Sequence, residues 1–443
     1  MTPAIRFAAG RSPRFLCFLI GTTLNAAVVH FLRFGVSWLA MRETGSAVTF
    51  AAIFSVTSFV EVYFKPVLAP VADHFDRLSV YRASVGLSAL IVVTLLLVVL
   101  FLPFSVVVTA GLLTALSLVA ALRDPASAGL VPSLVCPEAL TGAQSLRSTA
   151  ESVAGLGAPA VSGLLLAWGG VSVTLEAAAV SSLVSLIATL GIRVKPAGGS
   201  MPAVSPGSCR GMWRRQFIDG IRAVVLTRSE RTGALGIAVT NAGLYPFFFI
   251  TLPLWVAHDL GAPAATMALI EVAFGIGIFA GSILLIGPVN ARIGRFHTLV
   301  TGNGLLGASL IGAAFVTTPV ALAVCFSVGG AGLALFNINA STLRAAATPP
   351  AFRSRMAAGV AFLSSSLNPF AAQGMGLMVD RIGATKGVFL SGALILAATV
   401  LLLRNRDAKA LLIRPSEDIV GAYASLYPRA FITRGAGAGR PAA

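Results

Sequence analysis

Ionisable side chains stand inside long apolar stretches of this chain. They are His30, Arg33, Glu61, Lys65 and Glu271. A charged group in such a stretch is costly unless it faces water or a partner, so it often marks the path of an ion or proton. Glu61 and Lys65 are four residues apart and share a helix face. Either they neutralise each other, or Glu61 gives and takes a proton in each working cycle.

The remaining charges allow similar alternatives. Glu271 has no oppositely charged residue near it in sequence, so it is the freer candidate for a proton carrier; the alternative is a place near an external mouth. Arg33 either pairs with Glu61 across a cavity or binds an anionic substrate. Neutral hydrogen-bonding groups complete the candidate pathway or join helices to each other. These neutral groups are Asn25, Asn241, Tyr245 and Asn337.

The composition indicates that the apolar stretches with these polar side chains lie in a lipid bilayer. Hydrophobic residues make up 56% of the 443 residues and charged residues 11%, whereas soluble domains carry about 25% charged residues. Twelve stretches reach the length of about 20 residues that crosses a bilayer. They cover approximately residues 15–38, 47–71, 83–102, 104–121, 152–168, 171–192, 234–256, 265–289, 299–316, 319–337, 357–378 and 387–403. We therefore expect an all-α polytopic membrane protein.

The basic residues set the orientation. The net charge is +16, but it is scattered through the links between apolar stretches, which argues against a nucleic-acid partner. With both termini in the cytoplasm, only Arg42, Arg381 and Lys386 fall in outside links, as the positive-inside rule requires. We expect a multi-pass protein of a bacterial inner (cytoplasmic) membrane.

The chain divides into two six-span halves. We expect one half at residues 1–192 and the other at 232–403, joined by a cytoplasmic linker with a basic amphipathic helix (193–231) and followed by a basic cytoplasmic tail (404–443). Residues 69–77, the link after the second span, align without a gap with residues 287–295, the link after the eighth. Such an internal repeat around a central cavity is typical of secondary carriers.

The two links resemble the signature of the major facilitator superfamily, roughly G-x-x-x-D-R-x-G-R. The resemblance implies that a cytoplasmic latch closes one side of the carrier, with Asp73 and Arg77 in the first copy and Arg292 and Arg295 in the second. The variant with Asp76 resembles the branch of macrolide exporters and enterobactin-type siderophore exporters. The fifth span resembles the superfamily's antiporter motif, with Ala158 where that motif has glycine. The matching positions are Gly155, Gly157, Pro159 and Gly163.

The resemblance implies a transporter and not an enzyme. We expect alternating access and proton-driven export of a small organic molecule such as a drug, siderophore or other secondary metabolite. The alternatives are a symporter that imports a siderophore or nutrient and, more remotely, a membrane enzyme or sensor. We expect a monomer in the lipid bilayer that needs protons and its substrate but no cofactor. No phosphate-binding loop of the ATP-driven pumps and no metal-ligand spacing of histidines occurs in the sequence.

Overall fold

The computed structural model describes residues 12–66, 68, 76–135, 140–192, 206–414 and 417–432. Within these ranges the chain is helical, with no strand. The longer helices are α1 (Pro13–Thr44), α2 (Ala47–Phe64), α3 (Arg77–Phe101), α4 (Val106–Leu134), α5 (Leu140–Leu190), α6 (Pro206–Leu226), α7 (Arg228–Asp259), α8 (Ala264–Ile293), α9 (Arg295–Ala313), α10 (Pro319–Ala347), α11 (Arg353–Ser365), α12 (Asn368–Ile382) and α13 (Ala384–Leu403). Short pieces follow: α14 (Arg406–Leu412), a 3₁₀ turn (Glu417–Ile419), α15 (Ala422–Leu426) and a 3₁₀ turn (Pro428–Phe431).

Nine helices within the described ranges are long and apolar enough to cross a membrane. The range given for α5 contains two helices, because the backbone of Gly170 is non-helical, with φ of 72° and ψ of −161°. The fifth and sixth predicted spans lie on either side of this glycine. The eleventh predicted span is divided between α11 and α12. The membrane class of the fold is confirmed, while the count of twelve spans stays a prediction.

Short polar residues begin three of the spanning helices. Asp76 is the N-cap of α3 and accepts hydrogen bonds from the Ser79 amide at 2.9 Å and the Ser79 hydroxyl at 2.7 Å. These bonds lower the pKa of Asp76. Ser46 and Ser105 cap α2 and α4 in the same way. An N-cap side chain satisfies backbone donors that the first helical turn leaves free, so the Asp76 that departs from the family signature has a local structural use.

Three helices contain π-helical turns, in which a backbone N–H bonds to the carbonyl five residues earlier instead of four. They lie at Val60–Phe64 in α2, at Phe247–Thr251 and Trp255–Asp259 in α7, and at Gly281–Leu285 in α8. In α7 the turns adjoin Pro246 and Pro253, which have no backbone N–H to donate. The turn in α2 contains Glu61, and π-helical turns occur frequently at functional sites.

The described chain forms two compact units. The first comprises residues 1–206 and 262–268, the second residues 207–261 and 269–443. In the first unit a buried cluster joins α1, α3, α4 and α5. Its largest members are Phe15, Phe18 and Tyr81, and the rings of Phe18 and Tyr81 are 5.6 Å apart. The Arg82 guanidinium donates to the Ile192 carbonyl, which ties α3 to the end of α5.

Close backbone contacts and one buried amide hold the second unit together. Gly281 of α8 lies against α10, where an added Cβ would meet the Ala331 carbonyl oxygen at 2.7 Å. Asn303 of α9 is fully buried; it accepts from the Thr240 hydroxyl of α7 at 3.1 Å and donates to the Thr399 hydroxyl of α13 at 2.8 Å. Small residues let helices approach closely. In a membrane, lipid is as apolar as a neighbouring helix, so close packing and shared hydrogen bonds hold helices together.

The linker helix α6 packs against α11 within the second unit. Gly220 of α6 faces Gly359 of α11. A Cβ added to Gly359 would lie 2.7 Å from the Gly220 carbonyl oxygen. Phe217 and Phe362 meet edge to face at 5.3 Å, and Asp219 lies 3.9 Å from Arg355. One face of the predicted amphipathic helix therefore contacts protein.

Much of the tail is folded onto the second unit. Residues 406–431 contribute Leu411, Leu412, Ile419 and Phe431 to a buried cluster that also contains residues of α9, α10 and α11. The Gly421 amide donates to the Ala346 carbonyl of α10 at 3.0 Å. The tail is thus a packed element of the second unit in its described part.

Tyr423 anchors this segment over a buried ion pair. Arg344 Nε is 2.8 Å from Glu230 Oε2, and the Tyr423 hydroxyl donates to Glu230 Oε1 at 2.9 Å. The Ser229 hydroxyl lies 3.2 Å from the same tyrosine oxygen. Tyr423 is fully buried. Burial and the neighbouring Glu230 carboxylate raise the pKa of Tyr423 well above its usual value, so this hydroxyl stays a donor at neutral pH.

Replacing Tyr423 with Phe removes one hydrogen bond to a buried carboxylate. We expect the free energy of unfolding of the second unit to fall by about 2 kcal/mol, measured by denaturant unfolding of the purified protein. Tyr427→Phe is the matched control, because its bond to Asp407 at 3.0 Å is only partly buried; a smaller loss is expected. Since the folded-state pKa of Tyr423 is raised, its contribution is complete below about pH 10 and is lost as pH rises further. Equal losses for the two variants would contradict the anchoring role.

Candidate functional site

A cluster of charged side chains lies inside the first unit, where four helices meet. Lys65 follows the π-helical turn of α2, Arg123 and Asp124 are consecutive in α4, and Arg147 lies in the first part of α5. Asn25 of α1 completes the cluster. The helix α4 continues to Leu134, past the predicted end of the fourth span at residue 121, and this extension carries Arg123 and Asp124 into the packed helices.

Asp124 is the negative centre of the cluster. Its Oδ2 lies 2.7 Å from Lys65 Nζ, and its Oδ1 lies 3.6 Å from Arg123 Nη2. Lys65, which the sequence places on the same helix face as Glu61, thus forms a salt bridge across to α4. Lys65 and Arg123 share the carboxylate of Asp124. With Arg147 the cluster holds three cations and one carboxylate, so it carries a net positive charge.

Asn25 links this ion network to α1 and α5. It is buried, and its Oδ1 accepts a bond from Arg123 Nη1 at 3.0 Å. Its amide nitrogen donates to the Gly21 carbonyl at 2.8 Å and to the Ser185 hydroxyl. The amide oxygen is turned toward a cation and the amide nitrogen toward acceptors, so both ends of the side chain are satisfied.

Arg147 closes the other side of the cluster. Its Nη2 donates to the Ser127 hydroxyl at 3.2 Å, and Ser127 in turn donates to the Asp124 carbonyl at 2.9 Å. The guanidinium carbon also lies 5.7 Å from the centre of the Phe18 ring, within the range of a cation–π contact. Arg147 is therefore positioned by contacts to α4 and α1.

A cavity of about 130 Å³ opens among these side chains. It is lined by Thr22, Asn25, Ala26, Val29, Tyr81, Arg123, Asp124, Ser127 and Arg147. Liquid water takes about 30 Å³ per molecule, and drug-sized ligands need pockets of about 300–1,000 Å³. The cavity thus has room for a few waters but not for a large organic substrate. Its lining includes the charged side chains of Arg123, Asp124 and Arg147.

The other candidate residues from the sequence are divided between the two units. Glu61 is exposed in the π-helical turn of α2, and Arg33 is half-buried in α1, in the same unit as the cluster. Glu271 is buried in α8. In the second unit Asn241 donates to the Ser364 carbonyl at 3.0 Å, the Tyr245 ring lies 4.4 Å from that of Phe249, and Asn337 is exposed. The structure thus brings Asn25 into the charged cluster and gives Asn241 a contact between helices.

The predicted latch is only partly within the described residues. Asp73 lies outside them. Arg77 is the first residue of α3, Arg292 is exposed at the end of α8, and Arg295 donates from its guanidinium to the Arg414 carbonyl of the tail. The second copy of the latch is therefore connected to the C-terminal segment, a contact that the sequence repeat did not indicate.

The antiporter-like residues lie along α5. Gly155 and Pro159 are in the helix, but their surroundings are outside the described part of the chain. Gly157 is exposed with open space beside it. Gly163 lies against Ala268, which belongs to the same unit, and an added Cβ would clash with the Ala268 methyl group. At Gly163 the motif allows the close helix approach that its small residues predict.

The sequence does not reveal the salt bridge between Lys65 and Asp124, or the hydrogen bonds that place Arg123 and Arg147 in the cluster. The predicted spans end at residue 121 and resume at residue 152, so both arginines fall in a link that the expected topology places in the cytoplasm. One signal was present: an acidic residue, Asp124, stands next to Arg123 in a link that should be positive. The distance in sequence between Lys65 and Asp124 concealed the pair itself.

Comparison with known proteins agrees with this architecture. Residues 233–437 match the sequence model of the Major Facilitator Superfamily. Macrolide efflux protein A from Streptococcus pyogenes is 21% identical over 87% of this chain and 94% of its own length.

Among solved structures, a bacterial homologue of the human lysosomal transporter Spinster superposes with a TM-score of 0.69 at 14% identity, covering 95% of this chain and 99% of its own. A bacterial homologue of the iron transporter ferroportin gives a TM-score of 0.65 at 18% identity, covering 88% and 98%. These comparisons confirm the resemblance to the major facilitator superfamily. Residues 233–437 carry the family match, and the fold is that of the solved transporters, which indicates a transporter and not an enzyme.

The bond between Asn25 and Arg123 predicts an energetic coupling. We expect Asn25→Leu and Arg123→Met each to destabilise the first unit, and the double variant to lose less than the sum by about 1–2 kcal/mol, because each single change leaves a buried polar partner unsatisfied. The measurement is a double-mutant cycle of unfolding free energies on purified protein. Additive losses would show that the two side chains act independently.

Proposed function

We propose that this chain is a proton-driven exporter of a small organic molecule in the cytoplasmic membrane of a bacterium. The observation that carries the proposal is the similarity to Macrolide efflux protein A, which extends over 87% of this chain and 94% of that protein. The name of that relative supplies the direction and the kind of substrate that we propose for this chain. The protein would use alternating access, with both termini in the cytoplasm and no cofactor beyond the proton gradient.

The proton is carried in this proposal by Glu61. Its side chain is exposed on a spanning helix, and an exposed carboxylate at membrane depth is tolerated where it meets water. Lys65, one helical turn away, is engaged by Asp124 at 2.7 Å. That salt bridge compensates the lysine charge, so Lys65 does not have to hold Glu61 ionised. The carboxyl of Glu61 can then be protonated and released again within one cycle.

The charged cluster supplies the coupling between helices. A change in the charge of Glu61 alters the field at Lys65, and Lys65 is connected through Asp124 and Arg123 to Asn25 of α1. Three helices would therefore respond to one protonation event. Glu271 of α8, buried in the second unit, is a second proton carrier in this proposal, and Arg33 contacts either Glu61 or an anionic group of the substrate.

Macrolide accumulation in cells tests the direction of transport. A host lacking its own efflux pumps, expressing the full chain, is loaded with a labelled macrolide. We expect less label in expressing cells than in cells with an empty vector, and we expect a protonophore to abolish the difference, because the driving force is the proton gradient. Higher accumulation in expressing cells would indicate uptake and contradict export.

Glu61→Gln tests the proton carrier. Glutamine keeps the size of the side chain and removes its titration, so we expect efflux to fall to the level of the empty vector while the protein remains in the membrane at wild-type amounts. Glu43→Gln is the matched control, since Glu43 is an exposed carboxylate at the end of α1, and it should retain efflux. Full efflux by Glu61→Gln would remove Glu61 from the mechanism.

A further inference from the structure

The short helix α14 follows the last spanning helix after two residues and has two different faces. Its inner face is buried through Ala408, Leu411 and Leu412. Its outer face carries Arg406 and Lys409, with Ile413 one turn further on, at the spacing that places them along one side of a helix. All three of these residues are exposed, and Ile413 has 68% of its surface accessible.

The acidic residue of α14 is engaged by the folded tail and not by these outer cations. Asp407 lies between them in sequence, but its carboxylate accepts the Tyr427 hydroxyl at 3.0 Å within the folded tail. Burial and this carboxylate raise the pKa of Tyr427 to about 12, so the tyrosine remains a donor. The outer face of α14 is therefore cationic.

A groove of about 680 Å³ continues from this face toward the junction of α8 and α9. One wall carries Ile293, Arg295 and His297, and the other carries Ile413 and Arg414. None of the described residues that line the groove is acidic. The groove thus offers two guanidinium groups and an imidazole to whatever enters it, with isoleucine side chains beside them.

The walls of the groove are held in place by hydrogen bonds. The Arg295 guanidinium donates to the Arg414 carbonyl and fixes the distance between the two walls. His297 Nδ1 lies 3.0 Å from the Ile293 carbonyl, which leaves Nε2 as the ring nitrogen available to a ligand. Guanidinium groups suit phosphate because they can donate two parallel bonds to its oxygens.

The position of the groove selects the ligand. Helices α8 and α13 are both candidate membrane spans; α8 ends at Ile293 and α13 at Leu403. The groove is lined by the end of α8 and by the segment that follows α13, where a spanning helix leaves the hydrocarbon core and meets the lipid headgroups. An exposed isoleucine there can contact acyl chains while basic residues contact the headgroup.

We propose that this groove and the outer face of α14 together bind the phosphate headgroup of an anionic phospholipid. Arg406, Lys409 and Arg414 supply the charge, and Ile293 and Ile413 lie against the acyl chains. Clusters of basic residues directly after a spanning helix attract anionic lipid. Here the folded tail presents them beside a preformed groove. The proposal requires a membrane-spanning chain but not a direction of transport or a particular transported substrate.

The experiment compares lipid retention by the full chain and by a variant with Arg406, Lys409 and Arg414 changed to Gln. Each protein is purified, and its affinity for phosphatidylglycerol and for phosphatidylcholine is measured by native mass spectrometry. We expect the wild type to prefer phosphatidylglycerol. Each neutralised cation is expected to lower that affinity about fivefold, so the triple variant should bind about 100-fold more weakly.

The control variant carries Arg381→Gln and Lys386→Gln, which lie near the other end of α13. It should retain phosphatidylglycerol as the wild type does. Thermal unfolding in phosphatidylcholine alone checks that all three proteins are folded, and equal transitions are expected there.

Three outcomes would overturn the proposal. They are wild-type affinity of the triple variant for phosphatidylglycerol, equal retention of the two lipids by the wild type, and displacement of the lipid by millimolar inorganic phosphate. The last would identify the groove as a site for a free anion. If the triple variant does not fold, Lys409→Gln alone decides, with the expected fivefold loss supporting the proposal and no loss overturning it.

Discussion

The pairing of Asp124 with Lys65 and Arg123 is the interaction on which the candidate site of the first unit depends. The Lys65 and Asp124 side chains are 42% and 43% exposed, so theirs is a partly solvated ion pair that joins α2 to α4. One carboxylate serves two cations, at 2.7 Å and 3.6 Å, and Asn25 accepts a further bond from Arg123 at 3.0 Å. Because the partners come from different helices, the network joins α1, α2 and α4.

The second unit is stabilised by a different arrangement. Its helices approach through glycine, as at Gly281, and share the buried amide of Asn303. Its exposed end is covered by the folded tail, which buries Tyr423 against the ion pair of Glu230 and Arg344. The ion pair of Glu230 and Arg344 thus holds the tail in place, whereas Arg123, Asp124 and Arg147 of the first unit line a small cavity. The two units therefore differ in chemistry although the sequence repeat relates them.

The sequence predicts the class of the fold well, since long apolar segments and the placement of basic residues depend on local composition. The boundary that the sequence places between the fifth and sixth spans, after residue 168, lies next to Gly170, where the helical backbone is interrupted. The folded tail was beyond prediction. Its helices are short, and their burial depends on distant residues such as Ala346 and Phe296.

The candidate site was predictable in part. Asn25 was identified because a polar residue stands out in an apolar span, and it does join the charged cluster. Arg123 and Arg147 were missed because their place next to a link is also where purely orienting charges occur, so their type and position alone do not distinguish the two uses. Asp124 acquires its role only when α2 and α4 pack together, which no local pattern records.

Proton movement in proteoliposomes tests the central claim most directly. Vesicles containing the purified protein and a pH-sensitive dye are loaded with a macrolide and diluted into macrolide-free buffer, with protein-free vesicles as the reference. If outward movement of the substrate is exchanged for protons, the lumen becomes more acidic than in the reference, and the effect disappears with Glu61→Gln. A lumen that becomes more alkaline than the reference would mean that protons leave together with the substrate, and would contradict antiport.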